Sequence, residues 1–226
     1  MDIELKENER LDDLERDNLF VIQNKEKYCF SVDSVLLSDF VKTKNSDNCL
    51  ELCSGSGVIS FLVNAKNHPK SITCLEIDEY MCDIAQRSAK FNNVENIKFF
   101  NLDIKNSEKV LKKAKFDVVF SNPPYLLPLT DMSKVSPKFH STKFETTITL
   151  EDIFDVVAKF LKGDGSFYMI HSAPRIQEIL LKAQKFGLFI KKLQNIYFKE
   201  NTESPLIMCE FVKKQTPCTT LFPVIL

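Results

Sequence analysis

The sequence predicts an α/β fold in which a mostly parallel sheet carries helices on both faces. From residue 48 onward, apolar runs typical of strands alternate with helical patterns, which is the chain order of βαβ proteins. The last two runs have no helix between them, and this indicates an antiparallel hairpin at one edge of the sheet. Glycines and polar residues follow several runs, at the strand ends where such sheets bind ligands.

Seven strands account for the apolar runs, and most of them are followed by a helix. The predicted strands are 48–53, 71–77, 96–102, 116–120, 165–170, 188–198 and 206–212. The predicted helices are 57–66, 78–92, 151–161 and 174–186. Gly187 suits the cap of the last helix, and KGDG (162–165) predicts a tight turn before the fifth strand. Residues 18–42 predict a short strand pair and a helix at 33–42, packed beside the sheet.

Composition favours a single globular domain. The chain has 226 residues, of which 44% are hydrophobic and 27% charged, enough for a large core. We expect residues 1–45 to form an amino-terminal extension on a core of 46–214, with 215–226 as a tail.

No apolar run approaches the roughly 18 residues of a membrane span, and the acidic amino terminus is unlike a secretory signal. Seven scattered cysteines without a C-x-x-C pair favour reduced thiols and no metal. We expect a cytoplasmic monomer.

The overall charge does not indicate a nucleic-acid-binding protein, because the net charge is −1. Its distribution is uneven. Residues 1–17 hold eight acids and three bases, so the rest of the chain carries +4. From Lys182 to Lys199 there are five lysines and no acid. This run predicts a basic face, although a solvated surface is the simpler interpretation of such a run.

The segment ELCSGSG (51–57) joins the first strand of the sheet to the next helix, and it holds Gly55 and Gly57. Glycine at such a turn permits a positive φ and lets the backbone approach a ligand beside a helix amino terminus. Glu76 ends the second strand, where a carboxylate can accept both ribose hydroxyls. Asp103 ends the third, within reach of an adenine amino group. Each feature alone is an ordinary turn, but together they predict a nucleoside cofactor across this edge.

The segment SNPPYLLP follows the buried run FDVVF. Pro123 and Pro124 cannot donate to a sheet ladder, and the residue before a proline is extended. The strand therefore stops and leaves Asn122 and Tyr125 at its carboxyl end. For the prolines alone, a rigid strand end is the simpler interpretation, but the neighbouring cofactor pattern favours a functional one. The connection 125–150 lacks clear periodicity, and loops of this length are usually functional or mobile.

Four segments in this order, ELCSGSG, LEID, NLDI and SNPPY, resemble the Rossmann-like class I S-adenosylmethionine-dependent methyltransferases. The N-P-P-Y element resembles the branch that methylates planar amino groups: adenine N6, guanine N2 or the glutamine amide. Residues 20–40 and 143–180 and the segment PLIMCEFVKK resemble the bacterial tRNA1(Val) (adenine(37)-N6)-methyltransferases, which modify the adenosine next to the anticodon. The resemblance implies S-adenosyl-L-methionine as cofactor and tRNA as partner.

The resemblance also implies the site residues. The cofactor-binding residues are Glu51, Cys53, Gly55, Gly57, Glu76, Ile77, Asp103, Ile104 and Asn122. The catalytic residues are Asn122, Pro123, Pro124 and Tyr125. The Asn122 side-chain oxygen and the Pro123 carbonyl accept hydrogen bonds from the amino group, and Tyr125 stacks on the base. The RNA-binding residues are Tyr125, Lys134, Lys138, Lys143, Lys182, Lys185, Lys191 and Lys192. Cys53 departs from the family, whose loop begins with glycine.

Other functions stay open. A glutamine N5-methyltransferase acting on release factors shares N-P-P-Y, but we expect it to carry a helical domain ahead of the glycine loop, and 50 residues precede Glu51. A guanine-N2 rRNA methyltransferase more often has N-P-P-F and a longer chain. A silent RNA- or nucleotide-binding module on this fold does not need Asn122, Glu76 and Asp103 together. A DNA methyltransferase needs a target-recognition domain, for which we expect no room.

Overall fold

The computed structural model describes residues 3–27, 29–113, 115–125, 147–199, 203 and 205–226. The strands are β1 Glu9–Asp13, β2 Phe20–Asn24, β3 Asn48–Leu52, β4 Ser71–Glu76, β5 Ile97–Asn101, β6 Phe116–Ser121, β7 Leu161–Ser172, β8 Phe189–Tyr197, β9 Leu206–Val212, β10 Thr219–Thr220 and β11 Val224–Ile225. The helices are α1 Val32–Phe40, α2 Val58–Asn67, α3 Glu79–Phe91, α4 Leu150–Phe160 and α5 Ile176–Lys185, with 3-10 helices at Ile104–Lys109 and Ala173–Arg175. None of the helices in these ranges is long and apolar enough to cross a membrane.

The strands β3 to β11 form one sheet in the order β10-β8-β9-β7-β6-β3-β4-β5, and β11 also pairs with β8. β5, β4, β3, β6 and β7 are parallel, while β9 lies antiparallel between β7 and β8. The predicted mostly parallel sheet with an antiparallel hairpin is confirmed. Residues 215–226, expected as a tail, contribute β10 and β11, which pair with β8 and cover the predicted edge.

Each face of the sheet buries its own hydrophobic core, because successive strand residues point to opposite sides. Cys49 and Cys74 pack with α1, α2 and α3 on one face, the α1–α3 face. Leu50 and Leu75 pack with α4 and α5 on the other, the α4–α5 face. The parallel strands between these layers end at a common edge, so the loops after β3, β4, β5 and β6 meet there.

The predicted turn at KGDG is wrong. These residues lie inside β7, which runs from Leu161 to Ser172 directly after α4. The register of β7 against β6 shifts after Phe116, so the additional residues form an irregularity within the ladder. A Cβ at Gly165 would lie 2.6 Å from Leu161 Cδ1 and 2.7 Å from the Asp117 carbonyl oxygen. Glycine therefore serves a close strand approach here rather than a turn.

The residues before β3 form a second small sheet, in which β1 pairs antiparallel with β2. This hairpin packs on α3, where Ile22 donates its backbone N–H to Ser88 Oγ at 2.9 Å. Burial alone would raise the pKa of Glu9 in β1, but hydrogen bonds from Arg87 and Tyr80 of α3 lower it to about 2. The predicted strand pair within residues 18–42 is only half right, because β2 lies in that range but its partner β1 ends at Asp13, before it. The predicted helix at 33–42 is confirmed as α1.

Candidate active site

A cleft lies at the carboxyl edge of the parallel strands, among the loops after β3, β4, β5 and β6. It encloses about 970 Å³ of empty space, counting the part open to solvent. The predicted site residues that line it are Cys53, Gly55, Glu76, Ile77, Asp103, Ile104, Asn122 and Pro124. The fold thus brings together side chains that are widely separated in the sequence.

The loop after β3 turns through left-handed backbone. The φ angles of Cys53, Gly55 and Gly57 are 59°, 54° and 81°, and the Gly57 N–H donates to the Ser54 carbonyl at 2.9 Å. A Cβ at Gly55 would meet only Met81 Cε, at 3.8 Å. The backbone angle, rather than lack of space, is what requires glycine at this position.

Gly57 does not line the cleft, although the sequence predicts it as a cofactor ligand. A Cβ there would lie 2.6 Å from the Phe99 ring on β5 and 3.3 Å from Phe61 Cε2 on α2. Glycine is therefore needed for close packing at the start of α2, which is the role of the last glycine in dinucleotide-binding loops.

Cys53 lines the cleft at the position where the resemblance implies glycine. Its φ of 59° costs an ordinary side chain about 1–2 kcal/mol relative to right-handed backbone. Burial raises the pKa of its thiol well above the usual value, which favours the protonated thiol over the nucleophilic thiolate.

Glu76 both lines the cleft and fixes the glycine loop. Its Oε2 accepts the Gly55 N–H at 2.7 Å, and its Oε1 accepts the Asp78 N–H at 2.9 Å. Burial raises the pKa of Glu76, and these backbone hydrogen bonds oppose the increase. Each carboxylate oxygen has a further lone pair, so Glu76 can hold the loop and still accept a ligand's hydroxyl groups.

Glu51 lies behind the glycine loop and not on the cleft. It is fully buried, and its Oε2 accepts a short hydrogen bond from Ser60 Oγ of α2. Within the described ranges its Oε1 has no partner, and burial raises the pKa of Glu51 to about 8. The sequence predicts a cofactor ligand here, whereas the structure places a buried carboxyl that joins β3 to α2.

The end of the cleft near β4 and β5 combines apolar surface with an acceptor. Ile77 is 51% exposed and Ile104 is buried. Asp103 accepts the Lys105 N–H at 2.9 Å and so caps the 3-10 helix. Its second oxygen lies 3.6 Å from Lys105 Nζ. An uncovered apolar side chain and a carboxylate therefore stand where the sequence predicts the adenine.

Asn122 lies on the cleft, directly after β6. The preceding Ser121 Oγ donates to the Leu52 carbonyl at 2.8 Å, which fixes the end of β6 to β3. Asn122 and Pro124 line the cleft, whereas Pro123 is buried and does not. The Asn122 side chain makes no hydrogen bond within the described part of the chain, so its amide oxygen can accept from a ligand.

Tyr125 is held at three points and does not line the cleft. Its hydroxyl donates to Asp33 Oδ2 at 3.0 Å, and its carbonyl accepts from Arg175 Nη1 at 3.1 Å. Its ring centroid lies 5.8 Å from that of His171. Arg175 also donates twice to Glu178. The sequence predicts an exposed, stacking tyrosine, whereas the structure places a half-buried one that ties the N-P-P-Y segment to α1 and to the start of α5.

The predicted lysines do not form one basic face. Lys182 and Lys185 lie on α5, where their amines pair with Glu178 at 2.8 Å and with Glu151 at 3.0 Å. These two lysines belong to the α4–α5 face. Their charges are therefore largely balanced by the acids beside them.

Lys191 and Lys192 lie on β8, and each amine is 2.8 Å from a carboxylate oxygen of Glu210. Glu210 lies two residues after Met208 in β9, and residues two apart in a strand point to the same face. Because Met208 belongs to the core on the α1–α3 face, Glu210 points to that face too. This pair is thus on the opposite side of the sheet from α5. The remaining predicted lysines, Lys134, Lys138 and Lys143, lie outside the described residues.

Sequence reasoning missed part of the cleft wall. Phe30 and Ser34 line it from the amino-terminal extension, and Thr147 and Ile148 line it from the segment before α4. The resemblance at residues 20–40 was the one signal that pointed toward the first pair. Strand-end patterns carry no information on such residues, because they precede β3 or follow a long connection.

The groups on the cleft fit S-adenosylmethionine. Glu76 offers acceptors for ribose hydroxyls, and Ile77, Ile104 and Asp103 offer apolar surface and an acceptor for adenine. Ser54 Oγ is buried in the loop and has no partner among the described residues, so it can donate to a polar ligand. No group of three or more His, Cys, Asp or Glu side chains suited to a metal occurs in the described ranges.

This sheet order, with a glycine loop, an acidic strand end and an N-P-P-Y segment at one cleft, defines a class I methyltransferase, whose methyl donor is S-adenosylmethionine. Residues 30–191 match the methyltransferase small domain family, and the chain belongs to it.

The chain is similar to methyltransferases with different named substrates. A tRNA1(Val) (adenine(37)-N6)-methyltransferase of Flavobacteriaceae bacterium (strain 3519-10) is 22% identical and covers 84% of this chain and 80% of its own. A Methanocaldococcus jannaschii protein, provisionally named a protein N5-glutamine methyltransferase, is 42% identical over 46% of this chain and 49% of its own chain. The crystal structure of M. jannaschii TYW2 in complex with AdoMet has a TM-score of 0.62 and 14% identity, covering 94% of this chain and 90% of its own, and shares the fold.

Proposed function

We propose that this methyltransferase methylates N6 of the adenosine next to the anticodon, at position 37 of tRNA(Val). The observation that carries the proposal is the position of Asn122, which opens onto the cofactor cleft at the end of β6 with an amide free of hydrogen bonds among the described residues. Several relatives carry this tRNA activity in their names, which supports the choice of substrate.

An exocyclic amino group is a poor nucleophile, because its lone pair is delocalised into the ring. Two acceptors on its hydrogens increase the electron density on nitrogen and favour a pyramidal geometry. We assign these acceptors to the Asn122 side-chain oxygen and the Pro123 carbonyl, whose backbone is restrained by its ring and by Pro124. When bound, S-adenosylmethionine supplies a methyl group already activated on a sulfonium.

The chain's own contribution is positioning and electrostatics. With S-adenosylmethionine held by Glu76 and the glycine loop, Asn122 and Pro123 would orient the amine toward the methyl donor, and one amine proton leaves to solvent. Asn122 and Pro123 stabilise the partial positive charge that develops on the N–H groups. Adenosine in an anticodon loop is already partly unstacked, so its extrusion costs less than from a duplex.

We also propose that residues 46–214 are the catalytic core of a cytoplasmic, monomeric enzyme, with 1–45 as an extension and 215–226 as a tail. Phe30 and Ser34 line the cleft from that extension, which supports a direct part for it in ligand binding.

A second candidate is methylation of a protein glutamine at N5. The M. jannaschii relative favours it over about half of this chain, and a glutamine amide presents the same planar NH₂ group to Asn122. The cleft geometry alone therefore fits both substrates.

Incubation with methyl-labelled S-adenosylmethionine separates these candidates. An unmodified tRNA(Val) transcript should acquire label, and nucleoside analysis should identify N6-methyladenosine. A transcript with guanosine in place of adenosine 37 is the matched control and should stay unlabelled. Label in a release-factor glutamine, with none in the tRNA, would contradict the proposed substrate and leave methyl transfer intact.

A further inference from the structure

A cluster of cations lies on the α1–α3 face, away from the cleft. Its members are Arg16 in the loop between β1 and β2, Lys42 after α1, Lys66 in α2, and Lys191 and Lys192 in β8. We call this set the basic cluster.

Two carboxylates organise the basic cluster. Asp39 Oδ1 lies 3.2 Å from Arg16 Nη1 and 3.0 Å from Lys66 Nζ. Glu210, whose side chain is 1% exposed, binds the other two amines, Lys191 and Lys192. Each carboxylate therefore holds two cations, which leaves a surplus of positive charge at both.

Lys42 connects the two groups. Its amine donates to the Asp39 carbonyl at 3.0 Å but has no carboxylate partner of its own within the described ranges. Partial burial and the nearby charges of Lys66 and Lys192 lower the pKa of Lys42. Five cations thus gather around two carboxylates, with like charges acting on one another.

A backbone irregularity helps build this arrangement. Successive strand residues normally point to opposite faces, yet Lys191 and Lys192 reach the same carboxylate. The register between β8 and β9 shifts between Ile190 and Lys192, so Lys191 is the additional residue of a bulge. Bulges of this kind redirect side chains, and here both amines face the α1–α3 side.

We propose that the basic cluster docks the phosphate backbone of the RNA substrate along the α1–α3 face. The inference rests on the proposed function and supplies the interface that the lysines of α5 do not. Phosphates relieve the repulsion among the five cations, and Asp39 and Glu210 hold those cations in place before binding. A ten-residue helix such as α2 is about 15 Å long. The distance from the glycine loop to Lys66, near the end of α2, therefore corresponds to about four phosphates along one strand.

The test uses full-length protein and an unmodified tRNA(Val) transcript, with affinity measured by fluorescence anisotropy at several salt concentrations. The double variant Lys42→Gln/Lys192→Gln should bind at least roughly tenfold more weakly, and its log–log salt slope should decrease by about 1 per lysine. Its S-adenosylmethionine affinity should not change. Because Lys192→Gln removes one of the two amine partners of buried Glu210, a modest loss of stability is expected, while Lys191 still pairs with that carboxylate. Circular dichroism checks that the variant is folded.

The matched control is Lys109→Gln/Lys112→Gln, which removes the same charge from exposed lysines of the α4–α5 face and should leave RNA affinity near wild type. A second variant, Lys66→Gln/Lys191→Gln, repeats the test if the first folds poorly. Equal RNA affinity and salt slope in the cluster and control variants would overturn the docking surface while tRNA binding itself persists. A wild type that binds an acidic protein and no tRNA would overturn the proposed substrate and the docking surface together. Because binding is measured without methyl transfer, the first of these outcomes is distinct from failure of the proposed reaction.

Discussion

Cys53 combines a left-handed backbone with a side chain that disfavours it. Glycine at this position relieves strain of about 1–2 kcal/mol, which offsets the loss of the cysteine side chain and the greater freedom of glycine in the unfolded chain. Cys53→Gly should therefore change the free energy of unfolding by no more than about 1 kcal/mol. Chemical denaturation measures this directly.

Cys49→Gly is the matched control, since Cys49 is fully buried in β3 and is absent from the positive-φ residues. This variant loses side-chain burial and gains a flexible strand residue without relief of strain. Its free energy of unfolding should therefore decrease by at least about 2 kcal/mol. If the two variants are equally destabilised, the left-handed strain at Cys53 is not significant.

At the scale of elements, Glu51 is the polar contact that joins β3 to α2 through Ser60. Its pKa of about 8 in the fold, against 4.5 for an unperturbed glutamate, means that the native state binds an additional proton between these values. Stability from this group is therefore complete below about pH 4.5 and decreases by roughly 1.4 kcal/mol per pH unit as the pH rises through the window.

Glu51→Gln should remove this dependence, because the amide does not titrate. Denaturation of both proteins from pH 4 to 9 tests it: the variant should gain stability relative to wild type as the pH rises. A constant difference between the two proteins across this range would show that Glu51 does not carry a raised pKa.

At the scale of the whole molecule, the alternation of strand and helix patterns predicted the sheet, because the spacing of apolar residues along each segment reflects which of them are buried. It could not predict that KGDG continues β7, since glycine suits a turn and a close strand approach equally. Nor could it predict that Tyr125 binds Asp33, or that Lys191 and Lys192 share Glu210. These contacts join distant segments, and only the assembled fold sets their distances.

Variants at the proposed cofactor end and at the Asn122 end of the cleft should affect different quantities, cofactor affinity in the first case and turnover in the second. Asn101 Nδ2 donates to the carbonyls of Glu76 and Ile77 at 3.1 and 2.9 Å, and so supports the backbone that lines the proposed ribose and adenine end. Asn101→Ala should weaken cofactor binding more than turnover. It is the matched control for Asn122→Ala, which removes an acceptor needed mainly in the transition state.

The central claim is that this cleft binds S-adenosylmethionine at the glycine loop and the methyl acceptor at Asn122. The most direct measurement is calorimetric S-adenosylmethionine affinity alongside single-turnover methyl transfer for Asn122→Ala. We predict a Kd close to wild type and a rate at least roughly tenfold lower, the scale expected for losing one positioned hydrogen-bonding group. An unchanged rate would contradict the account, because Asn122 would then only end a strand.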